Sequence, residues 1–380
     1  MIRTVRILGT HGVPAAYGGF ETAAENIALF LQRRGWRVIV YCQVKGDGPV
    51  REDLWHGLER VIVPVAQGGW KGTTMFDWIS IRHACRFNDL CLTFGYNTGI
   101  FNVLQRLHGI PNVINMDGKE WTRSRWGYFM QAVLYVNERI SCLVGNHLIA
   151  DHPEIEKYLL TRAPQRKIST LTYGADPVPD APVEPVLALG LQPGEYLTVI
   201  ARPIPENSIL EIVRGFSARA RGKKLVLLGN YDTPDPYHAE LRAAAGPEVV
   251  FPGAIYDKAV VKALRFHCVA YAHGHTVGGT NPSLCEAMGA SNPVIARDNA
   301  YNRWVARDAA VYFDSAESFS DRVDELLGAP ARRAALRRAS AARFAEEFTW
   351  EHVAGQYETL LQGFLPAAWV RPVVDLEKLK

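Results

Sequence analysis

His273-Gly-His-Thr-Val-Gly-Gly-Thr-Asn-Pro-Ser-Leu-Cys-Glu-Ala-Met-Gly289 decides how this chain folds. The apolar run just before it, residues 268–272, feeds a glycine-rich loop, and Asn281-Pro282-Ser283 then opens a helix. Asn281 suits the N-cap, and Pro282 suits the first helical position, where a missing N–H costs nothing. A strand, a tight glycine loop and a helix N-terminus aim backbone N–H groups and the positive end of a helix dipole at one point. That is a site for a phosphate or diphosphate. Glu286, expected in the first turn, offers a carboxylate for a hydroxyl pair of a sugar or ribose.

Working outward, strand-like and helix-like segments alternate. Residues 5–8, 38–42, 61–65, 90–94, 112–115 and 148–150 read as strands. Residues 20–34 read as a helix with Ala24, Ile27, Ala28 and Leu31 on one face and Gly35 as its stop. Short apolar runs without polar alternation suit strands covered on both faces, hence a parallel sheet. The proline-dense segment 174–185 reads as a linker. Beyond it, strands at 196–201, 224–228, 249–251, 268–272, 293–296 and 310–313 alternate with helices, and 331–348 and 350–364 are helical. The expected fold class is α/β, with two Rossmann-like domains over 1–178 and 190–347 whose parallel sheets face each other across a cleft. Ligands in such sheets bind beyond the strand C-termini.

The 380 residues are 48% apolar and 21% charged, with a net charge of +3. This is ordinary for a soluble globular protein, and too little charge to point to nucleic acid. No apolar run approaches the ~20 residues of a membrane helix. The first residues pass straight into a strand rather than forming a signal peptide. Cys42, Cys85, Cys91, Cys142, Cys268 and Cys285 form no C-x-x-C pair and read as reduced core residues, which suits a cytoplasmic protein.

Three further stretches carry chemistry. Gly9 to Thr22 follows the first strand but is not G-x-G-x-x-G, so the dinucleotide fingerprint is absent. Tyr17, Gly18 and Gly19 lie in it, and the paired glycines let the backbone approach a ligand closely. It is either a plain connecting loop or a lid over phosphates or an acceptor. Past the strand at 112–115, Asp117 and Glu120 are paired carboxylates that can orient a hydroxyl, accept a proton or cap a turn. Trp121, Arg123, Arg125 and Trp126 mix aromatic and cationic groups that suit lipid headgroups, a diphosphate-lipid or a solvated helix face. Arg202 ends the strand at 196–201, where a guanidinium can grip a diphosphate with two parallel bonds. His273 and His275 form an H-x-H pair without a third ligand at useful spacing, so His275 is expected on a phosphate or hydroxyl rather than a metal.

These residues resemble the retaining glycosyltransferases of family four, which have the GT-B fold. The family carries E-x7-E followed by A-M-A-x-G-x-P-V-I, and Glu286-Ala-Met-Gly-Ala-Ser-Asn-Pro-Val-Ile295 matches its second half. Phe348-Thr-Trp-Glu351 and the helix after it look like the family's terminal element, which implies a tail, 348–380, crossing back to the first domain. The Gly9–Thr22 stretch, Met116-Asp-Gly-Lys-Glu-Trp121 and Gly278-Gly-Thr-Asn-Pro-Ser283 resemble a bacterial branch with rhamnosyltransferases of surface-polysaccharide assembly.

The resemblance implies transfer, with retention, of a sugar from a dTDP- or UDP-linked donor to a saccharide or polyprenyl-diphosphate-linked acceptor. It implies no bound metal or further cofactor, no nucleic acid, and a cytoplasmic enzyme touching the inner membrane. On the donor side it implies Gly18, Gly19, Arg202, Asn207, His275, Gly278, Gly279, Thr280, Asn281, Ser283 and Glu286. On the acceptor side it implies Tyr17, Asp117, Glu120 and Trp121, with Asp117, Arg202 and Glu286 closest to the chemistry. Two positions depart from the pattern. The first acid of E-x7-E falls on Gly278, and the lysine that accompanies the donor arginine falls near Glu206-Asn207. Backbone N–H groups taking over the missing acid's work, a nucleotide-sugar-binding subunit without catalysis, and a sugar-nucleotide epimerase are the readings left open.

Overall fold

The computed structural model describes residues 2–16, 18–123, 126–231 and 234–365. The chain forms two compact units. Met1–Leu171 with the segment from Trp350 makes the first, and Thr172–Thr349 the second.

The first unit runs β1 (Thr4–Leu8), α1 (Gly19–Arg33), β2 (Arg37–Lys45), β3 (Arg51–Trp55), β4 (Leu58–Val65), α2 (Gly69–Ala84), β5 (Leu90–Phe94), α3 (Asn102–Leu107), β6 (Asn112–Asn115), α4 (Tyr128–Val144), β7 (His147–Ala150), α5 (Pro153–Leu159) and β8 (Ile168–Thr170). Its sheet has the order β3-β4-β2-β1-β5-β6-β7-β8. The β1 and β5 residues are all buried, as continuous apolar runs require.

The sequence reading lacks β3 and β8, and of these only β3 departs from the expected parallel sheet. β3 pairs antiparallel to β4 through a two-residue turn, His56-Gly57, both at positive φ. Arg-Glu-Asp-Leu-Trp has no apolar period to announce it. It forms because the turn sets the register and Asp53 sits opposite Arg60, which grips both its carboxylate oxygens at 2.7 Å.

The second unit runs α6 (Glu184–Ala188), β9 (Tyr196–Ile200), α7 (Ile209–Ser217), β10 (Lys224–Leu228), α8 (Pro236–Ala244), β11 (Val249–Gly253), α9 (Lys258–His267), β12 (Ala270–His273), α10 (Pro282–Gly289), β13 (Val294–Arg297), α11 (Ala300–Ala306), β14 (Ala310–Phe313), α12 (Ala316–Gly328) and α13 (Pro330–Glu347). Its sheet is wholly parallel, in the order β11-β10-β9-β12-β13-β14. That is the 3-2-1-4-5-6 winding of dinucleotide-binding sheets, with the order reversing between β9 and β12. In the first unit the corresponding reversal lies between β1 and β5.

Segment 174–185 is not a free linker. Ala175 N–H donates to Phe348 O at 2.7 Å and Val178 N–H to Gly289 O at 2.8 Å. Gly289 must be small, because a Cβ there would lie 2.6 Å from Asp176 O. The chain therefore changes unit at Leu171–Thr172 rather than near 178. It returns at Trp350, where α14 (Trp350–Gln362) packs on α1.

Candidate functional site

The two strands at the second unit's switch point each end in a loop with a charged or glycine-rich tip. After β9 the chain passes Arg202, a one-turn 3-10 helix at Pro205–Asn207 and a left-handed Ser208 before α7. Asn207 is buried, and its side-chain N–H donates to Arg202 O at 2.8 Å. Asn207, expected to hold the donor, instead shapes the loop. The Arg202 side chain is exposed, and no carboxylate pairs with it among the described residues.

After β12, Gly274 passes so close to the first loop that a Cβ would lie 2.0 Å from Asn207 O. Thr276 then donates its N–H and its hydroxyl to Glu206 O, at 2.9 and 2.8 Å. The two loops are thus bolted together by backbone contacts. His273 and His275 stack with ring centroids 4.4 Å apart, and Tyr271 extends the column. Burial holds the His273 ring neutral, and neither ring nitrogen has a hydrogen-bond partner among the described residues. The backbone O of His275 is held by Asn299 and Asn302, both at 2.9 Å. Among the described residues no group of three or more His, Cys, Asp or Glu side chains is placed to hold a metal.

Gly278 has φ +122°, a conformation that penalises any side chain. The loop backbone itself therefore disfavours a glutamate there, although a Cβ would meet open space. The N–H groups of Gly278 and half-buried Gly279 have no protein partner among the described residues. Asn281 caps α10 by accepting from Ser283 N–H at 3.0 Å, and Pro282 stands at the first helical position. Of Thr280 and Ser283, both expected on the ligand, Ser283 is tied to the neighbouring strand. The Thr280 side chain is buried, and the Ser283 hydroxyl donates to Ile200 O at 2.7 Å and bonds the Tyr271 hydroxyl at 2.5 Å. These bonds fasten the helix start to the end of β9.

Glu286 falls in the second turn of α10 rather than the first. It forms an ion pair with Arg265 of α9, which is buried while the glutamate remains partly exposed. Arg265 was not legible in the sequence, because it looks like any cation on an amphipathic helix. A carboxylate anchored on one side by a buried guanidinium and open on the other is pre-oriented for a hydroxyl pair.

In the first unit, Gly9 and Gly12 let the loop after β1 fold back. A Cβ would lie 2.1 Å from Phe94 O at the first and 2.5 Å from Cys42 Sγ at the second. Glu21 and Glu25 of α1 accept from His11 N–H at 3.0 Å and Ala15 N–H at 2.6 Å. Gly18 is the N-cap of α1 at φ +111°, Gly19 is the first helical residue, and no side chain among the described residues caps that end. Tyr17 and Arg125 lie outside the described residues.

Asp117 occupies the left-handed region at φ +52°, with its N–H donating to the Asn115 side chain at 3.1 Å. A non-glycine residue there costs about 1–2 kcal/mol and is retained only where its surroundings fix it. The Tyr96 hydroxyl is the brace. It donates to Gly118 O at 3.1 Å and accepts from Glu120 N–H at 2.7 Å.

Glu120 and Trp121, expected on an acceptor, turn inward. Glu120 is buried against Arg123 at 2.6 Å and accepts from the Trp126 indole at 2.9 Å. The Trp121 indole donates to Glu138 at 2.9 Å. A mixed aromatic and cationic run can satisfy itself, and here the buried carboxylates supply the partners.

What the sequence did not mark is a cavity of about 70 Å³ at the β1/β5 switch point. Gly9, Gly95, Phe20 and α2 residues line it. Asp77, Ser80 and Asn102 are all buried beside it. Thr98 donates to one Asp77 oxygen at 2.8 Å, while Ser80 Oγ and Asn102 Oδ1 have no hydrogen-bond partner among the described residues. Burial pushes the Asp77 carboxyl up to about 7, against the opposing bond from Thr98. An acid in the middle of an apolar-looking helix is the only trace this leaves in sequence.

Residues 211–359 match a family model described as glycosyl transferase-like, and residues 2–176 match one described only as a domain of unknown function, DUF1972. No curated protein matches the chain. Sucrose-phosphate synthase from Thermosynechococcus elongatus is similar in structure, with 16% identity, a TM-score of 0.76, and 95% of this chain and 98% of that one covered. HepE from Anabaena in complex with UDP and glucose gives 13% identity and a TM-score of 0.75, covering 96% of this chain and 100% of that one. An α,α-trehalose-phosphate synthase from Burkholderia xenovorans in complex with glucose-6-phosphate gives 11% and 0.69, covering 95% and 100%. The chain has the GT-B fold of these proteins, and its second unit carries a glycosyl transferase-like domain.

Proposed function

We propose that this chain transfers a sugar from a nucleoside-diphosphate donor, dTDP- or UDP-linked, to a hydroxyl of a saccharide acceptor. Rhamnose, retention of configuration and a role in polysaccharide assembly follow from the sequence resemblance. One observation carries the reading: an exposed Arg202 with no carboxylate partner among the described residues, and N–H groups of Gly278 and Gly279 with no protein partner among them, occupy the two loops that flank a nucleotide-type switch point. HepE has been solved with UDP-glucose, which supports a donor of this class.

In the reaction the bond from the anomeric carbon to the phosphate oxygen breaks, and the electron pair leaves with the diphosphate. Arg202, the glycine-loop N–H groups and the α10 N-terminus meet that growing charge. The acceptor oxygen bonds the anomeric carbon from the face the diphosphate leaves. Its proton passes to the departing phosphate oxygen. Glu286, braced by Arg265, takes the ribose hydroxyls. Asp117 and the Asp77 cavity orient the acceptor.

A donor screen with product mass as the readout tests this directly. Failure of dTDP, UDP and GDP alike to raise the melting temperature would favour a non-catalytic subunit, and donor conversion without acceptor would favour an epimerase. Glu286→Gln is expected to raise KM for donor with little change in kcat, and a pure kcat loss would remove the ribose assignment.

Asp77→Asn has a pH signature. The native carboxyl, titrating at about 7, keeps a proton that the unfolded chain releases near 3.8, so stability falls as pH rises between those values and is level above. The asparagine variant is expected to melt higher than the parent at about pH 8, by at most on the order of 4 kcal/mol, with no such gain in acid. Its KM for acceptor is expected to rise. An equal shift in melting temperature at both pH values would show that Asp77 is not held neutral.

A further inference from the structure

Helix α4 is inside out. Its buried residues include Asn137, Glu138 and Ser141, while Tyr128 is 93%, Phe129 79% and Leu143 78% exposed. The polar side has partners that explain the inversion: Asn137 accepts from Ile100 N–H at 2.8 Å, and Glu138 accepts from Trp121 and Tyr158 at 2.9 and 2.7 Å. Nothing described covers the apolar side.

Helix α3 packs against both α4 and α2, and both carry exposed apolar side chains of the same kind. Leu107 on α3 and Trp70, Met75 and Trp78 on α2 are exposed. Scattered apolar side chains on a surface are ordinary, but large ones exposed on each of three neighbouring helices point to an interaction face.

Charge identifies the occupant. Lys71, Arg82, Arg106 and Arg139 on these helices are exposed, and the only acids on them, Asp77 and Glu138, are buried. Lys71 and Arg82 lie over the rings of Trp70 and Trp78, at 5.8 and 5.5 Å. Aromatic rings beside cations, with no exposed carboxylate, suit a bilayer interface: rings enter the headgroup layer while the cations meet anionic lipid. Among the described residues no helix is long and apolar enough to cross a membrane, so the contact is one of lying on the surface.

We infer that the exposed face of α2, α3 and α4 docks on an anionic lipid surface. Within 121–135, where the sequence resemblance put a membrane contact, this favours Tyr128 and Phe129 of α4 over Trp121 and Trp126, whose indoles are tied to Glu138 and Glu120. It stands apart from the transfer reaction, because lipid binding is read without donor or acceptor.

The test is flotation of the full chain with vesicles. Binding is expected to phosphatidylcholine–phosphatidylglycerol vesicles, weakened by salt, and much less to phosphatidylcholine alone. Tyr128→Ser, Phe129→Ser and Leu143→Ser together should weaken it at least about ten-fold. Arg82→Glu or Arg139→Glu should each cost about five-fold or more. All these side chains are exposed, so circular dichroism and melting temperature should match the parent. No flotation with anionic vesicles, or flotation untouched by the triple substitution, overturns the inference. So does a dimer in light scattering that Phe129→Ser dissolves, since the face would then join two copies of the chain.

Discussion

Arg202→Ala is expected to slow transfer roughly 10²–10³-fold while leaving the melting temperature unchanged. The fold should not notice the loss, because the side chain is exposed and forms no ion pair among the described residues. The rate should, because the guanidinium is the one free cation described in the pair of loops where diphosphate charge would develop. Removing one preorganised donor from a site of developing charge typically costs ~3–4 kcal/mol of barrier. Arg202→Lys should recover only part of the rate, since a point charge cannot reproduce two parallel bonds to a phosphate. Single-turnover rates with saturating donor separate this from weakened binding. Full activity in the alanine variant would remove Arg202 from the leaving-group site.

Gly274→Ala is expected to damage stability and donor binding together. Its Cβ would stand 2.0 Å from Asn207 O, 3.0 Å from the Asn207 carbonyl carbon and 3.0 Å from Ile212 Cδ1. A backbone carbonyl cannot swing aside as a side-chain tip can, so the two loops must part. Overpacking of this kind costs about 1–3 kcal/mol, sometimes more. The same displacement pulls Asn207 from Arg202 O and Thr276 from Glu206 O, so Arg202 loses its placement. Chemical denaturation and UDP-induced thermal shift, measured on one preparation, read the two effects. A variant that loses stability but keeps its nucleotide shift would show that the loops do not act as one unit.

The contrast between these positions shows what a sequence announces. Arg202 was legible because a strand end, an arginine and a kinked loop form a local pattern. Gly274 was one glycine among several, and its necessity comes from a carbonyl about 65 residues upstream. Asn207 and Ser283 show the opposite case. Their chemistry suits a ligand, but hydroxyls and amides serve equally well to pin loops, and the fold used Asn207 and Ser283 for that.

Local order fixed the outline. Apolar runs, glycine stops, and the Asn-Pro cap of α10 specify strands, helices and their alternation through short-range sterics and burial, and these decided the α/β class and the phosphate-type loop. Tertiary structure alone decided the rest: that an acidic-basic pentapeptide becomes edge strand β3, that 174–185 packs on the second unit, that Glu286 leans on Arg265, and that Asp77 is sealed beside a polar cavity. Each of these depends on what lies opposite in space. Pairing, ion partnership and desolvation are set by neighbours as near as Arg60 is to Asp53 and as far as Phe348 is from Ala175, and a one-dimensional pattern does not name them.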